Sequence, residues 1–447
     1  MVGALTAVAP LQVSILLAAL LLLPFLRPRA LLLLAVMFIC TLGLLRRLLS
    51  PGRVDYDPLL LLPLVLVCIA VLMSRSRMNR KPQVVEWALV VLIVLPLVTQ
   101  VVIGERNIGV LYAVILQSAA FATILLLSTG RLPNLWPALF RLAVPGGGLL
   151  AAYGIFQFFV LPSWDAQWMV ASKLASVGEP LPRLVRVFGA SESPGPFSVV
   201  LGYCLVVGIV QVAGKSSLVY RLFALPVIGV ILFAVLLTGV RTALLALVVS
   251  LAFIALRGRG LKNLMVIVGV AAVGLWILGR ILGGLAPDSS ILTTDRYTSE
   301  GLAQDDSLQA RLQLGSRILP AFANPLGQGA SGTGTRLLRL DNSYVDLLVN
   351  FGSLVLIALL VLVVACFRRV VVSARMGSPE DLALGAATIT TLVCTMSGNV
   401  FSSTTGLLVA VVLGCCLRTF GPDSEVEDAA SDARRSPGRS RADSSPA

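Results

Sequence analysis

Apolar stretches of about 16–24 residues recur from one end of the chain to the other, separated by short polar or basic segments. Each is long enough, or nearly so, to cross about 30 Å of hydrocarbon as a helix. A membrane barrel would instead alternate apolar and polar residues over segments of about ten. The pattern predicts spans near 9–26, 30–45, 58–73, 84–103, 108–128, 143–161, 194–213, 222–239, 241–256, 263–282, 344–367, 382–398 and 402–418. The expected fold class is an all-α polytopic membrane protein with about 12–13 transmembrane helices. Two stretches, roughly 162–193 and 283–343, are left as long loops.

Composition agrees. The 447 residues are 57% hydrophobic and 13% charged, with a mean hydropathy of +0.93, which excludes an ordinary soluble domain. No basic segment precedes the first span, so a cleaved signal peptide is not expected. The seven cysteines sit in or beside apolar segments and form no CxxC, which argues against disulfide and zinc chemistry. The net charge of +13 does not point to nucleic acid, because the cations cluster in short segments beside the spans. That is the signature of cytoplasmic loops, and no nucleic-acid partner is expected.

The charge clusters orient the chain. Segment 74–83, SRSRMNRKPQ, carries Arg75, Arg77, Arg80 and Lys81 and is expected in the cytoplasm. Counting onward places three further groups on the same side: Lys215 with Arg221, Arg257 with Arg259 and Lys262, and Arg368 with Arg369 and Arg375. Both long loops then fall on the outer, extracytoplasmic side. Leu222 to Leu256 is one check: as a single helix its 35 residues would be about 52 Å long, too long for one crossing. It reads as a hairpin whose turn, TGVRT at 238–242, puts Arg241 at the outer mouth. Residues 419–447, rich in Ser, Arg, Asp and Pro, read as a disordered cytoplasmic tail.

Chemistry gathers on that outer face. The segment RLVRVFGASESPGPF (183–197) holds Arg186, Gly189 and Pro194, with the proline placed to start a helix. Arg241 lies in an apolar hairpin with no acid nearby in sequence, and ionisable groups in membrane segments are functional by default. The loop 283–343 carries Arg311 and Arg317, then NPLGQGASGTGT, and ends on DNSYVDLLVNFG (341–352). Arginine keeps its charge and offers a planar fork of donors that suits phosphate oxygens. Its bland alternative here is interfacial snorkelling. Asn342, Asp346 and Asn350 share a helix face, and Asp346 is placed a turn inside the span. Asp341 is either a helix cap or a working carboxylate.

These residues resemble the O-antigen ligase and O-antigen polymerase family of membrane glycosyltransferases. The resemblance covers roughly 180–365 and rests on Arg186, Gly189 and Pro194; on Val240–Arg241–Thr242, where the family has Ser-Arg; and on Arg311, NPLGQGASG, Asp341–Asn342–Ser343–Tyr344 and Gly352. It implies a transmembrane glycosyltransferase domain over 1–418, with its core at about 180–365 and its large outer loop at about 283–343. It implies transfer or polymerisation of oligosaccharide units from a polyprenyl diphosphate carrier onto an acceptor glycan, outside the cytoplasmic membrane, without metal or other cofactor. Arg186, Arg241 and Arg311 would then bind substrate. The family uses a histidine to activate the acceptor hydroxyl, and this chain has none. Asp341 stands in that place, and a carboxylate can serve as general base. Asn342 and Tyr344 would orient it or the carrier.

Two other patterns carry less. GIVQVAGKSS (208–217) has one residue too many between its glycines for a P-loop and closes a span rather than a strand. Asp55 and Asp57 in VDYDP form an acid-x-acid pair, with Asp57 also placed to cap a helix starting at Pro58. A peptidoglycan-polymerase-like enzyme is one rival reading. A lipid-linked glycan flippase is another, and would carry broken helices and polar groups near the membrane midplane.

Overall fold

The fold comes from a computed structural model of the chain. It describes residues 26–50, 52, 58–74, 82–105, 108–214, 217–257, 315–330, 332–333, 336–337, 342–372, 378–396, 398–401 and 405–419. In chain order, α1 is Pro28–Leu49, and a 3₁₀ turn at Pro58–Leu61 leads into α2 (Leu62–Met73). Then come α3 (Val84–Val102), α4 (Ile108–Ser128), α5 (Trp136–Val160), α6 (Ser163–Ser172), α7 (Pro194–Ala213), α8 (Leu218–Leu237) and α9 (Arg241–Arg257). After them are α10 (Gly315–Phe322), α11 (Ser343–Val372), α12 (Pro379–Thr395) and α13 (Gly406–Thr419). A two-residue antiparallel ribbon, β1 (Gly332–Thr333) and β2 (Arg336–Leu337), stands before α11.

Among the described residues, seven helices are long and apolar enough to cross a membrane, and two shorter helices are apolar as well. The protein is an all-α polytopic membrane protein. Eleven of the thirteen expected spans fall on helices. The remaining two, 9–26 and 263–282, lie outside the described residues, as do most of the 283–343 loop and the 419–447 tail. The 222–256 hairpin is there as α8 and α9, joined by residues 238–240.

The helices pack around α7, which is buried almost all round and touches α5, α8, α9 and α12. Lipid gives apolar side chains no reason to leave it, so membrane helices associate through close packing of small residues and polar contacts between helices. Both appear here. A Cβ on Gly147 of α5 would overlap Cys204 of α7, and one on Gly414 of α13 would overlap Leu127 of α4. Ser250 of α9 hydrogen-bonds Ala386 O (3.2 Å) and Thr390 Oγ1 (2.8 Å) of α12, and Tyr203 of α7 meets Thr391 Oγ1 (2.7 Å).

Those bonds also fix depth. Ser250 lies about 13 Å below Arg241 along α9, and Thr390 lies about 7 Å below Thr395 along the antiparallel α12. The start of α9 is therefore at about the level of residues 395–400. Two features depart from the sequence reading. The stretch 162–193 is not all loop, because α6 occupies its first part. And α11 is not one straight span: its backbone breaks at Gly352 (φ 86°, ψ 177°).

Candidate functional site

The segment before α7 and the turn before α9 are one unit. Val187 N donates to Leu237 O at 3.1 Å. The Arg186 guanidinium lies across the turn, with Nε on Thr238 O (3.1 Å) and Nη2 on Gly239 O (3.1 Å). These carbonyls end α8, and an arginine there both satisfies them and complements the helix dipole. Thr238 is fully buried, and its hydroxyl accepts from Val240 N at 3.3 Å. Gly239 takes the left-handed conformation (φ 62°) that reverses the chain. Arg241 then opens a helix of 17 residues, where the amide ends and dipole favour an anion.

Residues 186–191 are themselves gripped from inside the protein. Gln157 of α5 accepts from two successive amides, Phe188 N (3.0 Å) and Gly189 N (2.8 Å), on its Oε1. Arg47 of α1 donates to the carbonyls of Gly189 and Ser191 through its two terminal nitrogens. Asp165 of α6 joins these two side chains. Its Oδ1 is 2.7 Å from Arg47 Nε, and its Oδ2 accepts from Gln157 Nε2 (2.7 Å) and Tyr153 OH (2.8 Å). Arg47, Gln157 and Asp165 are each 0% exposed. Beside them Arg46 pairs with Glu192 and lies 5.3 Å over the Trp168 ring. The three non-glycine left-handed residues among those described, Leu161, Lys173 and Arg183, fall in the chain between Asp165's helix and this segment or just before it. Strain of this kind, about 1–3 kcal/mol per residue, clusters at functional sites.

A second irregular backbone stands at the α11 break. Residues 324–330 of NPLGQGA cross it and bond to both sides. Gly329 N donates to Asn350 O (2.8 Å), and Ser353 N donates to Asn324 O (3.2 Å). Asn324 closes its own turn through Nδ2 to Gly327 O (2.8 Å). Gln100 of α3 clasps the far end: Ala330 N donates to its Oε1 (2.8 Å), and its Nε2 donates to Ala330 O (3.2 Å). The part of α11 after the break runs from 353 to 372, 20 residues or about 30 Å, enough to cross a membrane by itself. Ser343–Phe351 is therefore a separate helix at the mouth of the bundle, and Asp346, expected a turn inside the span, precedes the spanning part.

Asn342 caps this mouth helix, accepting from Tyr344 N (2.9 Å) and Val345 N (3.3 Å) on its side-chain oxygen. Ser343 is buried and ties the helix to the end of α12, donating to Gly398 O (2.7 Å) and accepting from Val400 N (3.2 Å). Tyr344 OH is 3.2 Å from Thr395 Oγ1. Asn350 donates to Asp346 Oδ1 at 3.1 Å, on the shared face expected from their spacing. With the depth set by Ser250, the turn of Arg186 and Arg241 and the mouth helix of Asn342 and Tyr344 stand at one end of the bundle, bridged by α12.

Of the residues singled out in sequence, Arg186, Arg241, Asn342 and Tyr344 are thus brought to one end. Asp341, Arg311 and the side chain of Arg317 lie outside the described residues. Sequence reasoning missed Arg47, Tyr153, Gln157, Asp165 and Gln100. One signal existed: Arg46 and Arg47 stand at the end of a span that the charge pattern leaves on the cation-poor side. No protein-family profile matches the chain, and no curated protein matches it.

Proposed function

We propose that the protein transfers or polymerises oligosaccharide units from a polyprenyl diphosphate carrier onto an acceptor glycan, at the extracytoplasmic end of the bundle. The observation that carries this reading is the Arg186 guanidinium seated on the turn from which Arg241 opens α9. A diphosphate needs fixed positive charge and N–H donors where a lipid tail can still lie along the helices. An arginine at a helix start at the membrane edge offers both. In this reading Arg241 grips the diphosphate, while Arg186 adds charge and holds the turn in place. Asp341 acts as general base on the acceptor hydroxyl, next in sequence to the anchored Asn342 and Ser343. Asn342, Tyr344 and Arg311 order the substrates around it.

The test is glycan transfer by the purified protein in detergent. Arg241→Ala and Arg241→Lys should both lose transfer at normal protein level, since a point charge does not replace the fork. Asp341→Asn should bind carrier yet lose about 10²–10⁴ in rate. Near wild-type transfer by Arg241→Ala rules the reading out. A flippase is the second reading, favoured by the break in α11, since transporters build sites from discontinuous helices. Its break should lie near the midplane, however, and this one is about 30 Å from the far end of the helix. Glycan lengthening in micelles, where there is nothing to transport across, excludes it.

A further inference from the structure

We infer that Asp165, Gln157 and Arg47 are a positioning assembly: they set the conformation of residues 186–191 and, through it, the place of the arginine that opens α9. The inference rests on reading Arg241 as a carrier-binding residue.

The path is continuous. One carboxylate, Asp165, orients two side chains at once, Arg47 at 2.7 Å and Gln157 at 2.7 Å. Those two take opposite edges of the same short peptide. Gln157 holds the N–H groups of 188 and 189, and Arg47 holds the carbonyls of 189 and 191. The peptide in turn bonds Leu237 O through Val187, and Thr238 O and Gly239 O through Arg186. Arg241 is two residues farther on.

Stability alone does not explain this arrangement. A buried ion pair is often no more stabilising than apolar side chains of similar size, because both charges lose their water. What such a network does supply is one geometry, since the bonds that Gln157 and Arg47 make to 188–191 form only in it. The neighbouring Arg183 is left-handed away from any helix end, a conformation that a non-glycine residue keeps only where its surroundings hold it. Gly189 is left-handed as well (φ 48°), and a Cβ there would stand 2.2 Å from the Phe197 ring, so the peptide fits in one pose.

The experiment uses the full chain in detergent, with farnesyl diphosphate as probe and three readouts: probe affinity, thermal melting, and amide exchange of the peptide 184–193. Arg47→Met with Asp165→Leu removes both charges together. Gln157→Met removes the acceptor of two amides without changing charge. Each variant is expected to stay folded with a modestly lower melting temperature, because buried amides or carbonyls lose their partners, to exchange faster at 184–193, and to bind the probe at least tenfold more weakly. A part that only stabilises the fold would lower the melting temperature without selectively changing either of the other readouts. If a variant that still melts cooperatively binds like wild type, or keeps wild-type protection at 184–193, the assembly does not position the site. Should both variants fail to fold, Tyr153→Phe decides, since it deletes one hydroxyl from Asp165 at a half-buried position. It is expected to weaken probe binding severalfold and to loosen the same peptide, and wild-type values for both would overturn the inference. Arg241→Ala separates the two ideas. If it binds the probe as tightly as wild type, the carrier reading fails, and exchange at 184–193 alone then judges the assembly.

Discussion

Residues 186–191 and residues 324–330 are both irregular backbone at the same end of the bundle, and they are held in opposite ways. The first is clasped by side chains: Gln157, Arg47 and, behind them, Asp165. The second is clasped mainly by main chain, the opened turn of α11 at Asn350 and Ser353, with Gln100 at one end. Both solve one problem, that backbone groups away from water must find partners. They differ in what can move. A main-chain clasp is fixed by two backbones, and only at its Gln100 end can a side-chain change loosen it. A side-chain clasp can be shifted by one substitution, and it is the one that leads to Arg241. A rigid clasp thus stands at the same end of the bundle as an adjustable one.

Glycine substitutions break this comparison with the largest effect. Gly352 has φ 86° and ψ 177°, and an added Cβ would lie 2.3 Å from Pro325 O, a backbone atom. Gly352→Ala is expected to cost about 3–5 kcal/mol, from the disallowed conformation plus the overlap. Gly189→Ala meets the Phe197 ring instead, at 2.2 Å, in a left-handed conformation that costs a non-glycine residue about 1–2 kcal/mol. A smaller side chain at 197 can make room. Phe197→Leu should therefore recover part of the Gly189→Ala loss in a double-mutant cycle, whereas Pro325→Ala should recover none of the Gly352→Ala loss. Melting temperatures of the four single and two double variants decide. Rescue at 352 would mean that the main-chain clasp is not rigid.

The same contrast explains what was legible in the sequence. Helices were, because each apolar run has to satisfy its own backbone within lipid. Even the α8–α9 turn was, because 35 residues with a single charge cannot be one crossing. The break in α11 was not. VNFGSLVLIALL reads as continuous helix, since one glycine in a helix costs only about 1 kcal/mol. It opens because NPLGQG, more than twenty residues upstream, supplies the missing partners. For the same reason the chain pattern placed Asp346 inside a span. Asp165 and Gln157 were hidden differently. Each is an ordinary polar residue near a helix end, and only the fold shows that both converge on 188–191. The juxtaposition of Arg186 with the Arg241 turn was accessible in part, as a shared side, but not as a contact.

Gln100 sharpens the comparison at intermediate size. It is the side-chain component of the otherwise main-chain clasp, and it is buried, as is Ala330. Gln100→Leu fills the space but leaves Ala330 N and O without their partner. Leaving a buried backbone group unsatisfied costs about 1–3 kcal/mol, so the loss should be about 2–3 kcal/mol, below that of Gly352→Ala. Amide exchange should rise across 324–330 while 184–193 stays protected. Faster exchange in both peptides would show that the two clasps are coupled rather than separate.

The smallest effect tests the mouth helix beside the main-chain clasp. Asn342 accepts two amides, from Tyr344 and Val345, and so has a stated structural duty. Asn342→Ala should cost about 1 kcal/mol, the usual value of a lost cap. Asn342→Asp keeps an acceptor oxygen at the same place and places a negative charge at a helix start, where it is favourable. Its melting temperature should match or exceed wild type. The two variants therefore separate capping from substrate work. If Asn342 only caps, Asn342→Asp transfers glycan normally and Asn342→Ala loses activity in step with its stability. If its amide nitrogen also orients a substrate, Asn342→Asp melts normally but transfers poorly, because the carboxylate cannot donate. The second pattern is the expected one, since an amide at this mouth can cap with its oxygen and still present its –NH₂ to a sugar or diphosphate.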